Sequence, residues 1–332
     1  MVRFALFGAG RIGKMHAANI ASIDGCALTY VYDVYEVAGR QVADLHGAKY
    51  TSSVDDIMTD PSVDAVLIAS PTETHVDLIE QSIAAGKPIL CEKPIDLDIA
   101  RVNACLHNIG DKAGMVQLGF NRRFDPNNSA LRKAVEAGEI GKLEKIVITS
   151  RDPAPPPSAY IAKSGGMFRD MMIHDFDLMR FLSADEPVEV TAVGSVLVDE
   201  EFARYDDVDT AMVMIRLSSG ALCHINCSRR AIYGHDQRVE VFGSEGMLIS
   251  NNQTETTVSR YSKTLSDARE PLLHFFTERY GKAYRNQVES FVNSLAESRS
   301  FNPNFEDGRN ALIIADAAEE SLRTQRTVTI KY

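Results

Sequence analysis

Six residues, Gly8-Ala9-Gly10-Arg11-Ile12-Gly13, join the apolar run Phe4-Ala5-Leu6-Phe7 to an amphipathic stretch over 13–23. The GxGxxG spacing is a weak signal alone, and its position between a first strand and a first helix gives it weight. Gly8 permits the tight turn, Gly10 lets the backbone approach a pyrophosphate, and Gly13 lets helix and strand pack closely. The helix start then offers free N–H groups and a positive dipole end to phosphates. A glycine-rich turn without a ligand is the bland alternative.

Short apolar runs and helical stretches keep alternating after that loop. Strands are expected over 27–32, 48–50, 65–68, 89–91 and 115–119, with helices over 34–46, 54–58, 74–85 and 99–110. Strands alternating with helices of about ten residues imply βαβ units and a parallel sheet. Asp33 ends the second strand about 20 residues after the glycine loop, where a carboxylate hydrogen-bonds adenosine ribose hydroxyls. The same charge repels a 2′-phosphate, so the expected cofactor is NAD, with Ala9, Arg11, Ile12 and Val34 beside it. A helix-capping aspartate is the alternative for Asp33.

The pattern changes near residue 120, and a cut there gives two domains, 1–120 and 121–332. The segment 129–137 reads as helix and 145–150 as strand, while Asp152-Pro153-Ala154-Pro155-Pro156-Pro157 is an extended loop. An amphipathic helix is expected over 170–182. From 188 to about 261 strands are punctuated by turns such as Gly243-Ser244-Glu245-Gly246. Ala211, Val213, Ile215 and Leu217 share one strand face, yet Met212 and Met214 make the other face too apolar for open solvent. Coverage by another subunit is the simplest expectation. Two helices, 284–297 and 308–324, and a strand over 327–330 close the chain.

Hydrophobic residues are 45% and charged ones 24%, and the net charge is −11. That balance argues against nucleic-acid or anionic-membrane partners, which need clustered positive charge. Five scattered cysteines lack metal-ligand spacing, and Cys223 and Cys227 in one strand would sit about 13 Å apart. No metal is expected. Met1-Val2-Arg3 enters an apolar run of only about five residues, too short for a signal peptide, so a cytoplasmic location is expected.

In open parallel sheets, ligands bind beyond the carboxyl ends of the strands. Two such ends stand out: Ser70-Pro71-Thr72-Glu73-Thr74-His75 and Glu92-Lys93-Pro94. Lys93 is either a crevice amine or a solvated surface charge, and His75 either caps its helix or lines the cofactor. Asp170 and His174 are four apart, so on a helix they project from one face. Alcohol oxidation needs a base tuned near neutral pH, and a histidine oriented by a carboxylate supplies one. A hydrogen-bonded core histidine fits the same spacing.

Taken in order, the GxGRIG opening, Asp33, Ser70 to His75, Glu92-Lys93-Pro94 and Gly165-Gly166 to His174-Asp175 resemble the Gfo/Idh/MocA oxidoreductase family over almost the whole chain. Gly119 to Asp125, Arg151-Asp152-Pro153 and Ser164-Gly165-Gly166 resemble its inositol-dehydrogenase branch. The resemblance implies an α/β fold, a Rossmann parallel-sheet domain followed by an α+β domain with a large open, mostly antiparallel sheet that forms homotetramers. It implies that Lys93, Asp170 and His174 are catalytic. Ser70, Thr72, His75, Glu92, Lys93 and Asn121 would then contact the cofactor. Asn121, Arg122, Asp152, Tyr233, Tyr280 and Tyr284 would join the catalytic trio around substrate. The implied reaction is NAD-dependent oxidation of a small cyclic polyol, myo-inositol first. Another inositol isomer or an aldose is the nearer alternative, and a non-catalytic NAD-binding sensor the more distant one.

Overall fold

The computed structural model describes residues 1–332, which group into two units. The first comprises Met1–Phe124 and Ala283–Asn310, and the second Asp125–Lys282 and Ala311–Tyr332. Along the chain, the first unit begins with β1 (Val2–Phe7), α1 (Arg11–Ser22), β2 (Cys26–Tyr32), α2 (Glu36–His46), β3 (Lys49–Thr51) and α3 (Val54–Met58). It continues with β4 (Ala65–Ile68), α4 (His75–Ala84), β5 (Ile89–Cys91), α5 (Ile99–Ile109) and β6 (Val116–Leu118). Their order is β3-β2-β1-β4-β5-β6, all parallel. This is the doubly wound arrangement whose strand order reverses between β1 and β4.

The residues explain the layers. Phe4 to Phe7 and Ala65 to Ile68 are fully buried, as strands covered on both faces must be. Helix α1 buries Gly13, His16, Ala17 and Ile20, a 3–4 residue spacing that puts one stripe on the sheet. Helix α2 stops at Gly47, whose left-handed backbone suits glycine. The expected strand over 115–119 shortens to β6, because a 3-10 turn occupies Gly110–Met115.

The second unit follows with α6 (Pro126–Glu136), β7 (Leu143–Arg151), α7 (Ser158–Ser164), α8 (Ile173–Ser183), β8 (Pro187–Ser195), β9 (Thr210–Leu217) and β10 (Leu222–Ser228). Then come β11 (Asp236–Gly243), β12 (Gly246–Ser250), the small β13 (Ser259–Arg260) and β14 (Ala268–Arg269), and α9 (Phe276–Arg279). Helix α10 (Gly281–Ala296), helix α11 (Phe305–Thr324) and β15 (Val328–Thr329) complete the chain. Seven strands form one sheet in the order β12-β11-β7-β10-β9-β8-β15, antiparallel except for β7 against β10. Its inner face, with Val213, Ile215, Cys223 and Ile225, shares a core with Phe176 and Met179 of α8 and Ile314 and Ala318 of α11. Its outer face leaves Val193 61% exposed, Met212 53% and Met214 49%.

Two local features depart from the sequence pattern. The helix expected over 170–182 is entered through a π-turn, Met167–Met172, before α8. The proline loop runs directly into α7, which the sequence pattern did not announce. At the chain's far end, Val288, Phe291 and Phe301 lie in the same core as Phe4 and Leu6, with Phe291 stacked on Phe301 at 4.6 Å. A single cut at residue 120 leaves out this return of Ala283–Asn310 to the first unit.

Candidate active site

In the first unit the loop between β1 and α1 is shaped by steric demand. Gly8 has φ +97, and a Cβ there would stand 2.6 Å from the Ala69 carbonyl oxygen. A Cβ on Gly13 would stand 1.9 Å from the Gly8 oxygen, whereas one on Gly10 would meet nothing within 4 Å. Gly10 is the N-cap of α1 and supplies no side-chain cap, and the first turn holds no acid, which leaves backbone donors for an anion. Asp33 accepts the Ala9 N–H through Oδ2 and the Tyr35 N–H through Oδ1, each at 2.7 Å. The carboxylate therefore ties the glycine loop to the end of β2 while each oxygen keeps a lone pair for a ribose hydroxyl. Val34 beside it is exposed.

The next two strand ends are linked by histidines. Ser70 Oγ and Thr74 Oγ1 are 2.6 Å apart, and Thr72 opens a short 3-10 turn. His75 is buried, with Nδ1 2.8 Å from the Pro94 oxygen and Nε2 2.9 Å from the Ser70 oxygen. Glu92 Oε1 lies 2.7 Å from Nε2 of the fully buried His16 on α1. Lys93 follows, and its peptide bond to Pro94 is cis. Asn121 and Arg122 are buried in the 3-10 turn Asn121–Phe124, and Asn121 Nδ2 is buried with no hydrogen-bond partner. An unsatisfied buried donor is a position where a ligand atom is rewarded. Tyr284 packs its ring edge-on against His16 at 5.7 Å.

The uncapped helix start, the glycine-bounded loop and the spare Asn121 amide fit a dinucleotide. Arg11 and Ile12 are the first residues of α1 and so lie at that start.

In the second unit, Asp170 lies on the π-turn and His174 on the first turn of α8. Gly165 and Gly166, both at positive φ, precede that turn. Such π-turns occur often at functional sites. Asp170 is 8% exposed, and its oxygens accept from the Tyr160 hydroxyl and from Arg229. Asp152 lies 3.5 Å from both Arg229 Nη1 and His235 Nδ1. Tyr280 is buried, donates to Gln237 at 3.2 Å and stands edge-on to His235. Tyr233 is more open, donating to Asp236 at 2.8 Å and accepting from Arg151 at 2.9 Å.

Tyr160 and Arg229 were not singled out from the sequence. Tyr160 lies in the unannounced α7. Arg229 had a usable signal: it follows Cys223, Ile225 and Cys227 at the alternate positions that β10 buries, so an arginine continues a buried face.

The glycine loop and Asp33 put the chain in the class of NAD-binding oxidoreductases, and comparison with known proteins agrees. Residues 2–120 match the family described as the oxidoreductase family with an NAD-binding Rossmann fold, and residues 129–249 match the GFO/IDH/MocA C-terminal domain. The chain belongs to the Gfo/Idh/MocA oxidoreductases. It is 45% identical to an inositol 2-dehydrogenase of Rhizobium meliloti and 43% identical to a myo-inositol 2-dehydrogenase of Thermotoga maritima, covering 99% of either partner in each case. The crystal structure of a myo-inositol dehydrogenase from Corynebacterium glutamicum superposes with a TM-score of 0.97 at 47% identity, over 100% of this chain and 99% of that one. The chain is an NAD-dependent oxidoreductase.

Proposed function

We propose that this enzyme oxidises one hydroxyl of myo-inositol to a ketone. The likeness to inositol dehydrogenases from end to end of the chain carries this reading. The reaction removes a hydride and a proton from a secondary alcohol, and NAD supplies the hydride acceptor when bound. His174 takes the hydroxyl proton as general base. Asp170 orients the imidazole, and Lys93 holds the reacting oxygen and stabilises negative charge developing there. Asn121, Arg122, Asp152, Tyr233, Tyr280 and Tyr284 recognise the remaining hydroxyls. Carboxylate, amide, guanidinium and phenol groups reward a ring of hydroxyls and penalise a ligand that lacks them. Gly8, Ala9, Gly10, Arg11, Ile12, Gly13, Asp33, Val34, Ser70, Thr72, His75, Glu92, Lys93 and Asn121 form the proposed cofactor site.

The second unit is read as the substrate and assembly domain, with the exposed Val193, Met212 and Met214 face buried between protomers of a homotetramer. No helix is long and apolar enough to cross a membrane, and all five cysteines are free, which accords with a reducing cytoplasm. The net charge of −11 disfavours nucleic-acid partners. NADH absorbance across a panel of myo-inositol, other inositol isomers and aldoses tests the substrate. Highest kcat/KM is expected for myo-inositol, and robust aldose turnover with silent inositols overturns the assignment.

A further inference from the structure

Asp170 is gripped at both oxygens. The Tyr160 hydroxyl donates to Oδ1 at 2.7 Å, and Arg229 Nη2 donates to Oδ2 at 2.9 Å. Arg229 is 4% exposed, and its Nε is buried without a hydrogen-bond partner, so nearly all its interaction is spent on carboxylates. Burial pulls its pKa down, but Asp170 and then Asp152 more than restore it, with Asp207 adding to them, and the guanidinium stays charged. Burial first, and the Asp170 charge second, push the Tyr160 phenol up, so it remains a donor. The other ionisable groups gathered here are His235 beside Asp152, Asp207 beneath the Met167 N–H, and the buried Asp175 next to His174.

A carboxylate one helical turn from a histidine favours the imidazolium. A base that must accept a proton from an alcohol is useless while already protonated. A bare Asp170 would orient His174 and also hold a proton on it, whereas an Asp170 paired with a cation and a phenol does the first with less of the second. We propose that Arg229 and Tyr160 are positioning residues for alcohol oxidation, fixing the Asp170 carboxylate and drawing off part of its charge so that it orients His174 without keeping it protonated. This rests on His174 being the base.

The test is the pH profile of kcat/KM at saturating NAD, whose acid limb reports the base. Arg229→Gln leaves Asp170 unneutralised, so the limb moves up by about one pH unit and activity on that limb falls about tenfold. Arg229→Lys returns the limb towards wild type by restoring the charge. Tyr160→Phe, at a residue that is half-exposed as a whole although its hydroxyl is sheltered against Asp170, moves the limb up by about half a pH unit. A limb that stays in place in Tyr160→Phe overturns the proposal, whether or not Arg229→Gln folds. His174→Asn separates the two ideas. If it keeps the wild-type profile, the base assignment fails; if it is inactive while the limb of Tyr160→Phe is unmoved, only the role of Arg229 and Tyr160 fails.

Discussion

His75 and Pro94 are joined across two strand ends, the ring nitrogen Nδ1 lying 2.8 Å from the Pro94 carbonyl oxygen. The other ring nitrogen lies 2.9 Å from the Ser70 oxygen, so one buried side chain spans the loop after β4 and the turn that carries Lys93. Both neighbours are acceptors, and a neutral imidazole has a single N–H to give. Burial holds the ring below its ordinary value of 6.5 against the pull of the two carbonyls. In the neutral state one carbonyl therefore lacks a donor from this ring.

That arrangement predicts an acid-sensitive fold. The unfolded chain binds a proton at His75 near pH 6.5 while the folded chain resists it, so stability is full above that value and declines as pH falls below it. His75→Asn, which keeps a donor for Pro94, should flatten this slope below about pH 6.5 and cost about 1–3 kcal/mol at neutral pH. Urea melts at several pH values give the answer. Parallel curves for the two proteins would remove His75 as the source.

The glycines separate binding from folding. Gly13→Ala sets a methyl 1.9 Å from a backbone oxygen and should destabilise by about 2–4 kcal/mol. Gly10→Ala adds a methyl in open space, so the thermal midpoint should hold while NAD affinity drops at least about tenfold, or ~1.4 kcal/mol. Calorimetric titration of Gly10→Ala with NAD decides it, and unimpaired binding would mean the pyrophosphate lies elsewhere.

Asp33→Ser removes both the charge and one of the two side-chain oxygens that accept the Ala9 and Tyr35 N–H groups. The ratio of kcat/KM with NAD to that with NADP should shrink, and NAD affinity should fall as the Ala9 N–H loses its anchor. An unchanged ratio counts against a ribose contact by this carboxylate.

For the proton-transfer step, His174→Ala should lower kcat by about 10²–10⁴ while leaving NAD affinity nearly intact. Stopped-flow turnover alongside NADH fluorescence titration measures both. Wild-type turnover in that variant would require another base.

Met214→Asp places a charge on the open face of β9, where the side chain is half-exposed in a single protomer. The protomer should fold normally, and light scattering should give a smaller particle than wild type, because a desolvated charge at an apolar interface is costly. Identical masses would mean this face is not where protomers meet.

The nucleotide-binding half was readable because its signals are local: short unbroken apolar runs for strands, period-3.6 helices and one glycine-bounded turn. The helix over 170–182 was readable in its apolar stripe, but the π-turn at its start was not, since one extra residue per turn leaves the composition unchanged. Helix α7 is short and follows a run of prolines, so no period announced it. Arg229 and Tyr160 meet Asp170 from 59 and 10 residues away, and nothing within either segment names that partner. Likewise His16 lies on the buried stripe of α1, where its spacing is that of any core residue, although its ring meets Glu92.

The stacked Phe291 and Phe301 give the molecule a directional birth. A nascent chain that has delivered only β1 to β6 owns its whole parallel sheet, yet the aromatic plug behind Phe4 is still to be translated. Stripping Phe291 to alanine at such a site costs about 3–5 kcal/mol, comparable with the entire margin of many domains. The nucleotide cradle is therefore built from both ends of a long stretch of chain, and a fragment that stops at the last strand of its sheet leaves Phe4 and Leu6 without these neighbours.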